Sequence, residues 1–188
     1  MATWSTACWL GPPGIAEQVR TLLPDLAETW QVVADPVLLP ERVVDGSVEL
    51  LVDAAMLDHR APLEATVAAV DRIVATGGAL RRVVSVVTTA WLGVDGDERE
   101  AMRCAAVVGH SRAQALRRAA SGVTVNTIAL ATAFRTAEIP AGAPLARAVG
   151  IADLANALEF FADPESHYVT GQTLNICAGT TVLSSMSV

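Results

Sequence analysis

Short apolar runs rich in Val, Leu and Thr alternate along this chain with longer stretches of helical period, and this alternation restricts the fold more than any other feature. Runs without polar alternation suit strands covered on both faces, as in parallel strands joined by crossover helices. The reading is α/β: a doubly wound parallel sheet in a single domain over residues 1–188, a length and apolar content that suffice for one core. Strands are predicted at 3–10, 31–34, 48–54, 82–88, 123–129 and 173–176.

The helices between them carry end signals. Leu63, Val67, Val70 and Val74 repeat at helical spacing behind Pro62, which suits a first turn, and Gly77-Gly78 is a stop. A second helix opens with Asp95, Asp97 and Glu98, acids placed at the positive end of the helix dipole, and runs to Ala120 before Ser121-Gly122. A third covers 151–161 and ends at Ala162-Asp163-Pro164.

Composition narrows the chemistry. All thirteen basic residues are arginine, so amine-based mechanisms such as Schiff-base catalysis or a P-loop lysine are excluded, and Tyr168 is the sole tyrosine. A net charge of -7 argues against nucleic-acid and anionic-membrane partners. Cys8, Cys104 and Cys177 are far apart, as are His59, His110 and His167, which suggests neither a metal site nor a disulfide framework. The first ten residues lack a basic leader and meet Gly11-Pro12-Pro13-Gly14 early, and no apolar run reaches membrane-span length, so a soluble, cytoplasmic protein is expected.

The second half carries an ordered set of pieces: Arg82-Val83-Val84-Ser85-Val86-Val87-Thr88-Thr89, a long helix with Gly109, Gly122-Val123-Thr124-Val125-Asn126-Thr127-Ile128-Ala129, and Tyr168-Val169-Thr170-Gly171-Gln172-Thr173-Leu174-Asn175. With Leu51-Val52-Asp53-Ala54-Ala55, these resemble the short-chain dehydrogenase/reductase family, and the last segment is similar to the ending of its acyl-carrier-protein ketoreductases. The resemblance covers roughly 48–180 and implies a Rossmann-like sheet, here shortened in the N-terminal half because only 42 residues separate Gly11 from Asp53. It also implies oligomerisation through the helices at 61–76 and 97–120 and through the C-terminal strand region.

Several family positions have changed. Counted from Gly109, the Tyr and Lys of the catalytic pair fall on Glu100 and Cys104, the catalytic serine on Thr88, and the tetrad asparagine near Arg60. A carboxylate and a thiol cannot replace a tyrosine that passes a proton and a lysine that lowers its pKa and holds the nicotinamide ribose. In the phosphate turn, Gly11 and Gly14 remain as weak cofactor candidates, but Pro12 and Pro13 lack amide donors and Ala16 replaces a glycine. Asp35 is placed to hold a ribose hydroxyl or simply to form a turn. Neither NADH nor NADPH is expected to bind usefully, and no cofactor is expected.

Glu100 and Cys104 share a helical face, an arrangement that permits a base and a nucleophile. A first-turn acid and a small buried hydrophobe are the plainer reading, and for His110, which has no acid nearby in sequence, packing is plainer than catalysis. Arg99, Arg103, Arg112, Arg117 and Arg118 read as a solvated or interfacial face. No catalytic residue is therefore assigned. The favoured expectation is a catalytically degenerate structural or regulatory subunit, in a homo- or hetero-oligomer with a family homologue. The alternatives are a nicotinamide-independent dehydratase, cyclase or isomerase acting on a ketide-like or acyl intermediate, and a small-molecule binding protein.

Overall fold

The computed structural model describes residues 3–38, 45–76, 78–93 and 97–184. Its elements are β1 (Trp4–Leu10), α1 (Pro13–Leu22), β2 (Ala27–Val33), β3 (Leu50–Asp53), α2 (Leu63–Thr76), β4 (Arg82–Thr88), α3 (Glu98–Arg118), β5 (Thr124–Leu130), α4 (Ile151–Ala162), β6 (Thr173–Ile176) and α5 (Thr180–Ser184). Six parallel strands form one sheet in the order β2-β1-β3-β4-β5-β6. The chain thus winds in both directions from β1 and β3, and the strand order reverses there.

Both faces of the central strands are buried, as their unbroken apolar runs require. Trp9, Leu50, Val52, Ile128 and Leu130 share one cluster with Leu154 and Leu158 of α4. Cys8, Leu51, Val83 and Val125 point the opposite way, against Val70 and Ile73 of α2. Alternation within a strand therefore selects the helix layer rather than core against solvent.

Several expected boundaries moved: β3 is shorter than 48–54, and β5 sits one residue later than 123–129. β2 starts at Ala27 rather than 31, because a sheet-edge strand tolerates exposed Glu28 and Thr29 that break its apolar run. The regular part of α3 ends at Arg118, followed by a 3-10 turn over Ala119–Ser121 that closes on Gly122 in the left-handed region. Asp97 caps α3, its carboxylate accepting the Glu100 amide at 3.0 Å. The proposed signals at Gly77 and Asp95 lie outside the described residues. Among the described residues, the link from β2 to β3 holds a 3-10 turn (Pro36–Leu38) and no α-helix, which leaves β2 at the sheet edge and the first half short. No described helix is long and apolar enough to cross a membrane.

The segment 168–175 is tied to β5 by polar contacts. Asn126 donates Nδ2 to the Val169 carbonyl at 2.8 Å and accepts the Gln172 amide at 3.1 Å, while Thr170 Oγ1 accepts the Val125 amide at 3.1 Å. Gly171, at φ 72°, turns the chain into β6.

Candidate active site

The C-terminal ends of the strands carry the site. β1 leads into Gly11, whose φ of 130° is open to glycine, and a Cβ there would stand 2.7 Å from the Ala54 backbone at the exit of β3. Pro12 and Pro13 then start α1, Pro13 as its first residue. The turn keeps its shape, but two of the amides that a helix N-terminus offers an anion are missing. A Cβ at Gly14 would meet nothing within 4 Å. Asp35, beyond β2, uses Oδ1 to accept the Val37 amide at 2.9 Å and is a turn former here.

Thr88, Glu100 and Cys104 do converge. Thr88, at the end of β4, donates its hydroxyl to Glu100 Oε1 at 2.6 Å, and its oxygen lies 3.5 Å from Cys104 Sγ. Residues 100 and 104 are one turn apart on α3, which packs along β4 and β5. A fourth member comes from another loop. Arg135, in the 3-10 turn after β5 (Thr132–Arg135), donates Nη1 to Glu100 Oε2 at 2.7 Å. Its Nε and Nη2 donate to the carbonyls of Leu57 at 3.3 Å and Met56 at 3.0 Å. The carboxylate at position 100 thus has a counter-charge 35 residues away, and Cys104 is only 1% exposed among Val107, Val108, Val87 and Ala129. A thiol so placed packs as a small hydrophobe.

Other expectations change with the geometry. His110 does have an acid partner: Nε2 lies 2.9 Å from Oδ1 of Asp71 on α2, which also accepts from Gln114. Arg103 leaves the solvated face, Nη1 donating to the His59 carbonyl at 2.5 Å and Nη2 to that of Ala61. Arg112 lies 5.7 Å from the Trp91 ring centre, and Trp91 Nε1 donates to Asn175 Oδ1 at 3.2 Å. Among the described residues, no group of histidine, cysteine and acidic side chains could hold a metal.

Between the β1 turn and the β4 corner, Asp53 ends β3, its Oδ1 accepting the Ala55 amide at 3.2 Å. Burial pushes its carboxyl up to about 7. Burial, with Asp53 adding to it, pushes the Cys8 thiol up to about 12. Beside Arg135 opens a cleft of about 540 Å³, walled by Pro12, Ile15, Leu57, Phe134, Val149 and Ile151.

No protein-family model matches the sequence. Among curated proteins, the chain is 37% identical over 114 residues to the (2S)-[(R)-hydroxy(phenyl)methyl]succinyl-CoA dehydrogenase subunit BbsC of Thauera aromatica, and 35% identical over 108 residues to subunit BbsD. It is 35% identical over 113 residues to the 3-oxoacyl-[acyl-carrier-protein] reductase FabG of Vibrio cholerae. These matches cover 57%, 52% and 54% of this chain but only 46%, 44% and 45% of the relatives, so the chain spans less than half of their length. Among solved structures, a putative betaketoacyl-ACP reductase superposes with a TM-score of 0.72 at 20% identity, covering 95% of this chain and 98% of that one. A Serratia marcescens short-chain dehydrogenase/reductase variant gives 0.69 at 17% identity, covering 93% and 97%. The chain is similar in sequence, over about half its length, to these reductases and dehydrogenase subunits, and its fold is that of short-chain dehydrogenase/reductases. Thr88, Glu100 and Cys104, which the sequence resemblance sets at the serine, tyrosine and lysine positions, lie together in the structure. Arg135 joins them from the loop after β5, a contact that spacing along the chain does not show.

Proposed function

We propose that this chain is a non-catalytic subunit that assembles in the cytoplasm with an active short-chain dehydrogenase/reductase homologue acting on an acyl thioester. The observation that carries the reading is the Thr88–Glu100–Arg135 network. Where the family places a proton-passing phenol and an ammonium, this chain has a carboxylate held by a guanidinium and a buried thiol. Neither side chain can both pass a proton to a carbonyl and hold a nicotinamide ribose. The donor set does not fit a nicotinamide dinucleotide either: the phosphate turn lacks two amides, Asp35 is engaged by its own turn, and there is no lysine.

Two of the relatives, BbsC and BbsD, are by name subunits of one CoA-thioester dehydrogenase, which supports both the subunit role and the substrate class. The test is co-expression with each homologue from the same genome that carries the Tyr/Lys pair. A stable complex is expected in which the homologue's pair is needed for turnover and Glu100 is not. Turnover of a ketoacyl thioester by this chain alone would refute the proposal, as would failure to capture any homologue.

The apolar cleft favours a second reading, a nicotinamide-independent enzyme or a binding protein for an acyl intermediate. Loss of product formation in Glu100→Ala, with folding and assembly intact, would make that the better account.

A further inference from the structure

We infer that Arg103 and Arg135 clamp the loop at residues 56–61 as a fixed end wall, so that the cleft beside Arg135 takes one compact, uncharged acyl or aryl group and shuts out a longer one. The inference rests on the second reading above, a binding site for an acyl intermediate, and adds what limits the occupant's length and charge.

The loop joins β3 to α2 and begins with a 3-10 turn, Ala55–Leu57. Its amides are bonded locally. Asp58 donates to the Ala55 carbonyl at 3.0 Å, Ala61 to that of Asp58 at 3.1 Å, and Arg60 to Asp58 Oδ1 at 2.8 Å. Its carbonyls are taken by two guanidinium groups from distant parts of the chain. Arg135, from the turn after β5, donates to those of Met56 and Leu57. Arg103, from α3, donates to those of His59 and Ala61, with the Asp58 carbonyl at 3.4 Å. A planar fork of donors serves several carbonyls at once, which a single ammonium does less well.

The clamp matters because the loop has a cavity on each side. Leu57, Asp58 and His59 line the cleft of about 540 Å³, while Asp58, Arg60 and Ala61 line a second pocket of about 230 Å³ that reaches Asp35 and Pro36. Asp58 belongs to both walls. While the loop is held, the two spaces stay apart, and the larger, about 10 Å across if taken as a sphere, sets the length of what enters. The same contacts restrict charge. Nε, Nη1 and Nη2 of Arg135 are all engaged, by Glu100 and by the loop, so this guanidinium is not free to pair with a carboxylate or phosphate in the cleft. Asp58 adds a negative charge to the wall, and an anion brought there would lose water without gaining a partner. Ile15, Phe134, Val149 and Ile151 suit hydrocarbon.

The experiment combines calorimetry with straight-chain amides and hydrogen exchange of the loop, on the full chain. Octanamide, extended about as long as the cleft is wide, is expected to bind the wild type at least about tenfold tighter than octanoate. In an open cavity each added methylene raises affinity about fourfold; in the wild type that gain is expected to stop, with dodecanamide binding no tighter than octanamide. Arg103→Ala, with unchanged circular dichroism, should speed exchange of the Asp58, Arg60 and Ala61 amides about tenfold and leave β4 and β5 unchanged. It should also bind dodecanamide about tenfold tighter than the wild type does. Arg103→Lys, which keeps the charge and loses the fork, should fall between on both measures. Affinity that keeps rising to dodecanamide in the wild type, octanoate binding as tightly as octanamide, or loop exchange and length preference that ignore Arg103→Ala would overturn the inference and leave the acyl-binding reading standing. Failure of octanamide to bind at all would remove that reading and the inference with it.

Discussion

At the end of β1 a tight backbone turn offers few amide donors. At the end of β4 a cluster of side chains is closed by an ion pair. The first is a matter of backbone: Gly11 folds tightly against Ala54, and Pro12 and Pro13 bring no amides to the start of α1. The second is a matter of side chains, since Arg135 reaches Glu100 from another loop. Backbone geometry at the first place is set by the close approach of Gly11 to the exit of β3. At the second place a largely buried carboxylate is partnered by a guanidinium.

The contrast is sharpest within the turn itself. Gly11→Val forces a Cβ into the Ala54 backbone at a φ that branched residues do not adopt, and a loss of more than about 3 kcal/mol is expected. Urea denaturation would show a chain largely unfolded without denaturant. A near-native midpoint would mean that the turn is not a structural necessity.

Asp53, between the two places, gives the next largest effect. Its carboxyl, raised from 3.8 to about 7, keeps its proton in the folded chain where the unfolded chain has lost it. Stability is therefore expected to fall as pH rises from about 4 to about 7 and to level off above, by up to about 4 kcal/mol. Asp53→Asn should remove this slope and be the more stable protein at pH 8. Parallel wild-type and variant curves of stability against pH would show that the acid is ionised throughout.

Glu100→Ala leaves the Arg135 guanidinium without its counter-charge in a partly exposed corner, a cost of about 1 to 2 kcal/mol. Arg135→Ala should cost about as much, and the double variant less than the sum of the two, as a thermal-melt cycle would reveal. Partner-supported turnover should not change. Smallest are Cys104→Ala, expected to cost about 1 kcal/mol from lost packing, and Gly14→Ala, within about 0.5 kcal/mol of neutral. A large loss of turnover in Cys104→Ala would show that the β4 corner does chemistry and break the comparison.

The buried strands were legible because an unbroken run such as Val83-Val84-Ser85-Val86-Val87 has no other stable place in a chain of this size. The start of β2 was not, because one side of an edge strand faces outward and its Glu28 and Thr29 look like loop. Thr88, Glu100 and Cys104 could be placed from local spacing on β4 and α3. Arg135 and the Asp71 partner of His110 could not, since both contacts join elements brought together only by the strand order. Spacing along the chain shows which residues share a helix face; it does not show what a distant loop places against that face.

The Glu100–Arg135 pair also bears on how freely either position can change. A tyrosine at position 100 would strand the guanidinium of Arg135 against the hydroxyl of Thr88, and removing Arg135 first would strand the carboxylate. Each single change passes through a less stable protein, and two simultaneous changes are needed to avoid it. The ion pair works as a latch: stability alone ties the choice of residue at position 100 to the choice at position 135.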